Sequence, residues 1–143
     1  MIAHAAAHGV APKVLVIDDE EDIITYLVTL LEDNGFRGVG ERDATASMAA
    51  ALRERPDLIL LDIMMPGQSG LSLYRALRRN PATAAIPIFI MSGFSREGDL
   101  AQTLLPAEAN GLPQPDGYLE KPISVPRFLQ RLQDLFDKAG PEG

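Results

Sequence analysis

Short, uninterrupted apolar runs alternate along the chain with stretches whose apolar residues recur every third or fourth position. The first run, Lys13-Val-Leu-Val-Ile17, stops abruptly at Asp18-Asp19, which predicts a buried strand with acids at its C-terminal end. From Glu20 to Asn34, Ile23, Ile24, Leu27, Leu30 and Leu31 keep helical spacing, and Gly35 is placed to end that helix as its C′ residue. Phe36 to Gly40 reads as a short second strand. Asp43 is positioned to cap an Ala-rich helix reaching Arg55, and Pro56 follows as its stop. Leu58-Ile-Leu-Leu61 is the strongest strand signal and again ends on an acid, Asp62. Met65-Pro66-Gly67 is turn material, and Leu71, Leu73, Tyr74 and Leu77 mark a third helix that Asn80-Pro81 closes. Ile86 to Met91 predicts a fourth strand, ended by Ser92-Gly93. Ser95 opens a fourth helix towards Asn110, which Pro106 kinks or shortens. Tyr118-Leu119 is a minimal fifth strand leading to Lys121-Pro122. Ser124 then caps a last helix with Phe128, Leu129, Leu132, Leu135 and Phe136 on one face.

Strands that alternate with helices in this way imply parallel βαβ units stacked as an α/β sandwich, with right-handed crossovers. The expected domain runs from residue 13 to 139, with tails at 1–12 and 140–143. At 143 residues the chain is one ordinary domain, large enough to bury a core without a staple. Apolar residues make up 46% of it and aromatics only 6%, so that core is aliphatic.

Charge and cysteine content narrow the function. The formal net charge of −7 gives these residues no electrostatic reason to approach nucleic acid. The absence of cysteine excludes thiol chemistry and disulfides, and fits a cytoplasmic protein. No apolar stretch reaches the length of a membrane span, and Met1–Pro12 lacks the charged and apolar regions of a signal peptide. His4 and His8 are four apart but read as parts of a tail.

The candidate chemistry sits at strand ends. Asp18, Asp19, Asp62, Ser92 and Lys121 each follow or close a predicted strand, and in open parallel sheets that edge is where ligands bind. Carboxylates gathered there repel one another, and a hard divalent cation such as Mg²⁺, with its preference for oxygen ligands, relieves them. Asp62 is the candidate nucleophile towards a phosphoryl group. Lys121 supplies a point charge for a phosphoryl oxygen or for Asp62 itself, and Ser92 a hydroxyl donor. Each has a plainer reading alone: a helix cap for Asp18 or Asp19, a turn for Asp62 or Ser92, a solvated loop for Lys121. Their convergence favours chemistry.

These residues resemble those of a known family. Asp18-Asp19, then Leu60-Leu61-Asp62-Ile63-Met64-Met65-Pro66-Gly67, then Ser92-Gly93, then Tyr118-Leu119-Glu120-Lys121-Pro122 look like the CheY-like receiver domain of two-component response regulators. The resemblance covers residues 13 to 139. It implies a flavodoxin-like fold with five parallel strands in the order 2-1-3-4-5. It implies phosphorylation of Asp62 by a histidine kinase or histidine phosphotransfer protein, and a downstream protein partner. Asp18, Asp19, Asp62 and the Met64 backbone carbonyl would gather Mg²⁺. Lys121 would contact the phosphoryl group, Ser92 would move to bond it, and Tyr118 would turn inward; for Tyr118 an ordinary core aromatic is the equal alternative. The Lys121–Pro122 bond would be cis. Such a domain is no enzyme towards a separate substrate.

Three rivals have distinct signatures. An aspartate-nucleophile, Mg²⁺-dependent phosphatase wants a second aspartate where Met64 stands. A flavodoxin-like FMN binder wants a Ser/Thr/Gly loop where Asp18-Asp19 stand. A receiver-like interaction module that is never phosphorylated shares all of the motifs. Two departures from the family stand out. The stretch from Asn110 to Asp116 is an insertion, expected to block a common dimer face or to form a private docking surface. Met64 and Phe94 are large and apolar, and are expected to exclude water and lengthen the life of the phosphoryl group.

Overall fold

The computed structural model describes residues 10–63, 70–93 and 113–138. Its elements are β1 (Lys13–Ile17), α1 (Glu21–Asp33), β2 (Arg37–Glu41), α2 (Ala44–Glu54), β3 (Leu58–Asp62), α3 (Gly70–Arg79), β4 (Ile88–Ser92), β5 (Gly117–Glu120) and α4 (Val125–Lys138). The strands form one parallel sheet in the order β2-β1-β3-β4-β5, as expected. The predicted helix from Ser95 towards Asn110, the Met65-Pro66-Gly67 turn, Met64, Phe94, His4 and His8 lie outside the described residues.

Period-two alternation divides each strand between two cores. Leu15, Ile17, Ile59, Leu61, Ile88 and Ile90 face a cluster with Ala50 and Ala51 of α2 and Leu73, Tyr74 and Leu77 of α3. Val14, Val16, Leu58, Leu60, Phe89, Met91 and Leu119 face another, with Leu27 and Leu31 of α1 and Phe128, Leu132 and Phe136 of α4. Helices cover both faces, which is why β1 after Lys13, and β3 and β4 before their last residues, are wholly apolar.

Local chemistry sets the helix ends. Gly35 has φ of 90°, the Phe36 amide donates to the Leu31 carbonyl at 3.0 Å, and the Gly35 amide donates to Glu32, closing α1 in a Schellman motif. That closure takes up Phe36, so β2 starts one residue later than its apolar pattern predicts. The Asp43 carboxylate accepts from the Thr45 amide at 2.9 Å and caps α2, as expected. Ser124 precedes α4, and its carbonyl accepts the Phe128 amide. β4 begins at Ile88 rather than Ile86. The Ile86 amide is spent on the Thr83 carbonyl, and Pro87 has no amide to give to the ladder.

Candidate functional site

The same alternation that fills the cores aims three side chains together. Asp18 continues the series Val14, Val16; Asp62 continues Leu58, Leu60; Lys121 continues Leu119. All three therefore leave the C-terminal edge of the sheet on the face covered by α1 and α4. Ser92 continues Ile88 and Ile90, so it belongs to the opposite face, as does Tyr118, whose ring packs against the α2/α3 core. The expected crevice is thus one edge with two sides: acids and lysine on one, serine and tyrosine on the other.

Asp18 is fully buried and Asp62 is 2% exposed, so neither carboxylate has bulk water to stabilise its charge. Lys121 meets both. Its Nζ lies 2.7 Å from Asp18 Oδ2 and 3.4 Å from Asp62 Oδ2, with Glu20 Oε1 at 3.7 Å. The Lys121 amide donates to the Ser92 carbonyl at 2.8 Å, which ties the lysine to the end of β4. The Lys121–Pro122 peptide is cis, as the resemblance implied. Asp18 makes a second bond, its Oδ1 accepting the Glu20 amide at 2.9 Å. Neither Asp18 nor Asp19 is the N-cap of α1; that position is Glu20, which makes no side-chain cap bond.

Asp18, Asp19 and Glu20 bring one carboxylate oxygen each within 4.8 Å of one another. Glu20 was read from sequence only as the start of a helix; its position directly after Asp19 was the available signal. The donors are hard oxygens graded from buried Asp18 to exposed Glu20, a donor set whose chemistry suits Mg²⁺. Ser92 is fully buried as the last residue of β4, paired across the ladder with Glu120. The Tyr118 hydroxyl donates to Gln114 Oε1 at 2.8 Å, at the surface.

Electrostatics tie the site to stability. Burial alone lowers the Lys121 pKa, but the Asp18 hydrogen bond and the charges of Asp62 and Asp18 outweigh it and hold the ammonium above its ordinary 10.5. A pKa raised on folding stabilises the protein fully below the unfolded value and ceases to do so as pH rises through the folded one. The stability difference between wild type and Lys121→Met, measured by urea unfolding, is therefore expected to hold below pH 10.5 and to shrink above it.

Residues 14–133 match the response regulator receiver domain family. The chain belongs to that family. The receiver is 36% identical over 135 residues to the phosphate regulon transcriptional regulatory protein PhoB of Rhizobium meliloti (strain 1021), across 92% of this chain and 55% of that protein. It spans about half the length of the PhoB relatives it matches. The polar-differentiation response regulator DivK of Brucella anthropi is 30% identical over 129 residues, 90% of this receiver and 99% of DivK. The solved chemotaxis response regulator CheY4 of Vibrio cholerae has a TM-score of 0.74 at 26% identity, covering 87% of this chain and 98% of that one. Among the described residues, no helix of the receiver is long and apolar enough to cross a membrane.

One residue that sequence reasoning passed over is Arg78. Its buried guanidinium donates to the Ala84 and Ile86 carbonyls at 3.2 and 2.8 Å, to the Tyr74 hydroxyl at 3.2 Å and to Asp116 at 2.9 Å. Asp116 in turn accepts the Ile88 amide at 2.9 Å and returns its own amide to the Ile88 carbonyl. This network joins the end of the predicted insertion to the sheet just before β5. It sits at the opposite end of β5 from Lys121.

Proposed function

We propose that this receiver accepts a phosphoryl group on Asp62 from a phosphohistidine of a partner kinase or phosphotransfer protein in the cytoplasm, and thereby switches a surface read by a downstream protein. The observation that carries this reading is the single ammonium of Lys121 shared by two buried carboxylates on separate strands, Asp18 and Asp62. A structural ion pair needs one acid. Two acids against one lysine leave an excess negative charge, which a bound cation would relieve.

The reaction balances without any further reagent. A carboxylate oxygen of Asp62 attacks phosphorus, forming an O–P bond, while the bond from phosphorus to the donor nitrogen breaks. The nitrogen keeps the electron pair and takes a proton from solvent or the donor protein. Water later cleaves the acyl phosphate and restores the carboxylate. Asp18, Asp19 and Asp62, with the Met64 carbonyl, would hold Mg²⁺, which when bound neutralises charge on the phosphoryl oxygens. Glu20 completes the acidic rim. Lys121 would exchange a carboxylate oxygen for a phosphoryl oxygen, a reading supported by its ammonium lying 3.4 Å from Asp62 Oδ2. The receiver turns over no separate substrate; it catalyses only its own phosphorylation and dephosphorylation.

The readout begins at Ser92. New negative charge beside β4 attracts its hydroxyl, and any movement of the β4 end disturbs the face that Tyr118 shares with it. The test is incubation with acetyl phosphate, with and without Mg²⁺, followed by intact mass measurement. Wild type is expected to gain one phosphoryl group only with Mg²⁺, and Asp62→Asn none. Gain by both proteins would move the acceptor elsewhere. Gain by neither would make this a receiver-shaped interaction module.

A further inference from the structure

Residues 113–116 are anchored at both ends. At one end the Tyr74 hydroxyl donates to the Pro113 carbonyl, and Tyr74 is itself fully buried. At the other, Asp116 bonds Arg78 and both backbone groups of Ile88. Burial raises the Tyr74 pKa, so the phenol keeps the proton it donates. Gln114 lies between these anchors, and its side-chain oxygen receives the Tyr118 hydroxyl at 2.8 Å. Its backbone is thus held on both sides, so little further chain entropy is lost in keeping that acceptor in place.

Tyr118 stands opposite Ile90 in the β4–β5 ladder, two pairs before Ser92 and Glu120 and on the same face of the sheet as Ser92. Its half-buried ring packs against the α2/α3 core, while its hydroxyl stays at the surface with Gln114. Any rotation of the ring towards Ser92 must first break that bond. We propose that Gln114 is a latch on the switch: held by the Arg78–Asp116 and Tyr74–Pro113 anchors, it retains the Tyr118 hydroxyl at the surface and opposes the inward state. The proposal rests on the reading of Tyr118 as part of the phosphoryl readout. It gives the segment before β5 a regulatory role in place of a purely steric one.

The bond is neutral and near solvent, so its loss favours the inward ring by about three- to tenfold. Because phosphoryl binding would select the inward state, the same factor appears as tighter binding of a phosphoryl mimic. Both effects can be measured on the whole chain. In the phosphate-free protein, relaxation-dispersion NMR of labelled tyrosine reads the inward population of the Tyr118 ring, with Tyr26 and Tyr74 as internal references. Gln114→Ala is expected to raise that population about three- to tenfold. An unchanged population overturns the latch. In parallel, beryllofluoride with Mg²⁺ is titrated into wild type, Gln114→Ala, Tyr118→Phe and the double variant. Gln114→Ala is expected to tighten binding by the same factor with Tyr118 present and to have no effect with Tyr118→Phe. An equal gain in both backgrounds also overturns the latch. Failure of wild type to bind beryllofluoride at all defeats the phosphoryl reading instead, and the ring population still decides the latch.

Discussion

Lys121→Met is expected to lose about 3 kcal/mol of stability at neutral pH in the absence of divalent cation. Methionine keeps much of the lysine stem but no charge. Asp18 and Asp62, both buried, then face one another without the ammonium that lies 2.7 and 3.4 Å from them. The loss is mostly the cost of stranding buried carboxylates and not the net worth of the ion pair. The deficit should shrink on adding Mg²⁺, and by more than wild type gains, because the variant's acids have no competing cation. Labelling by acetyl phosphate is expected to fall about a hundredfold, since a charged contact to the transferring group is gone. Urea midpoints with and without Mg²⁺ check the first part and labelling rates the second. A variant as stable as wild type, with no added response to Mg²⁺, would mean that the lysine is not the counter-charge of the site.

Gly70→Ala offers two opposed expectations, and magnitude decides between them. Gly70 opens α3, where alanine is the better helix former by up to about 1 kcal/mol. Yet a β-carbon there would sit 2.3 Å from Ile63 Cα and 2.5 Å from the Asp62 carbonyl oxygen. Both are backbone atoms, and no side-chain rotation can clear them. The helix or the end of β3 must shift, at a cost towards the upper end of the usual overpacking range, about 3 kcal/mol. The net expectation is destabilisation of about 2 kcal/mol. Because the displaced backbone belongs to Asp62 and Ile63, the Asp62 carboxylate moves with it, and labelling should slow even at temperatures where the variant is folded. Circular dichroism of the thermal transition together with the labelling rate separates the two effects. An alanine variant more stable than wild type would show that α3 does not press on the end of β3.

The parts of this fold legible in sequence were those fixed by local pattern. Uninterrupted apolar runs gave β1 and β3 because strands covered on both faces have no polar side to show. Gly35 and Asp43 marked helix ends because left-handed φ and side-chain capping belong to particular residue types. The acids and the lysine at strand ends were legible because topology alone brings those ends to one edge. What escaped depends on distant partners. Arg78 reads as one more charge at a helix end, and only tertiary structure reveals the carbonyls and the carboxylate that let it be buried. Gly70 looks like the residue after a turn; its need for no side chain comes from the end of β3. The division of the site into two faces follows from strand register, which a run as short as Tyr118-Leu119 could not define.

The most direct measurement reduces the phosphorylated protein with borohydride, which converts an acyl phosphate of aspartate to homoserine, and sequences the peptides by mass spectrometry. The expected result is homoserine at position 62 alone, dependent on Mg²⁺ during phosphorylation. Homoserine at position 18 or 19, or reduction spread over several acids, would contradict the assignment of Asp62 as the acceptor served by Lys121.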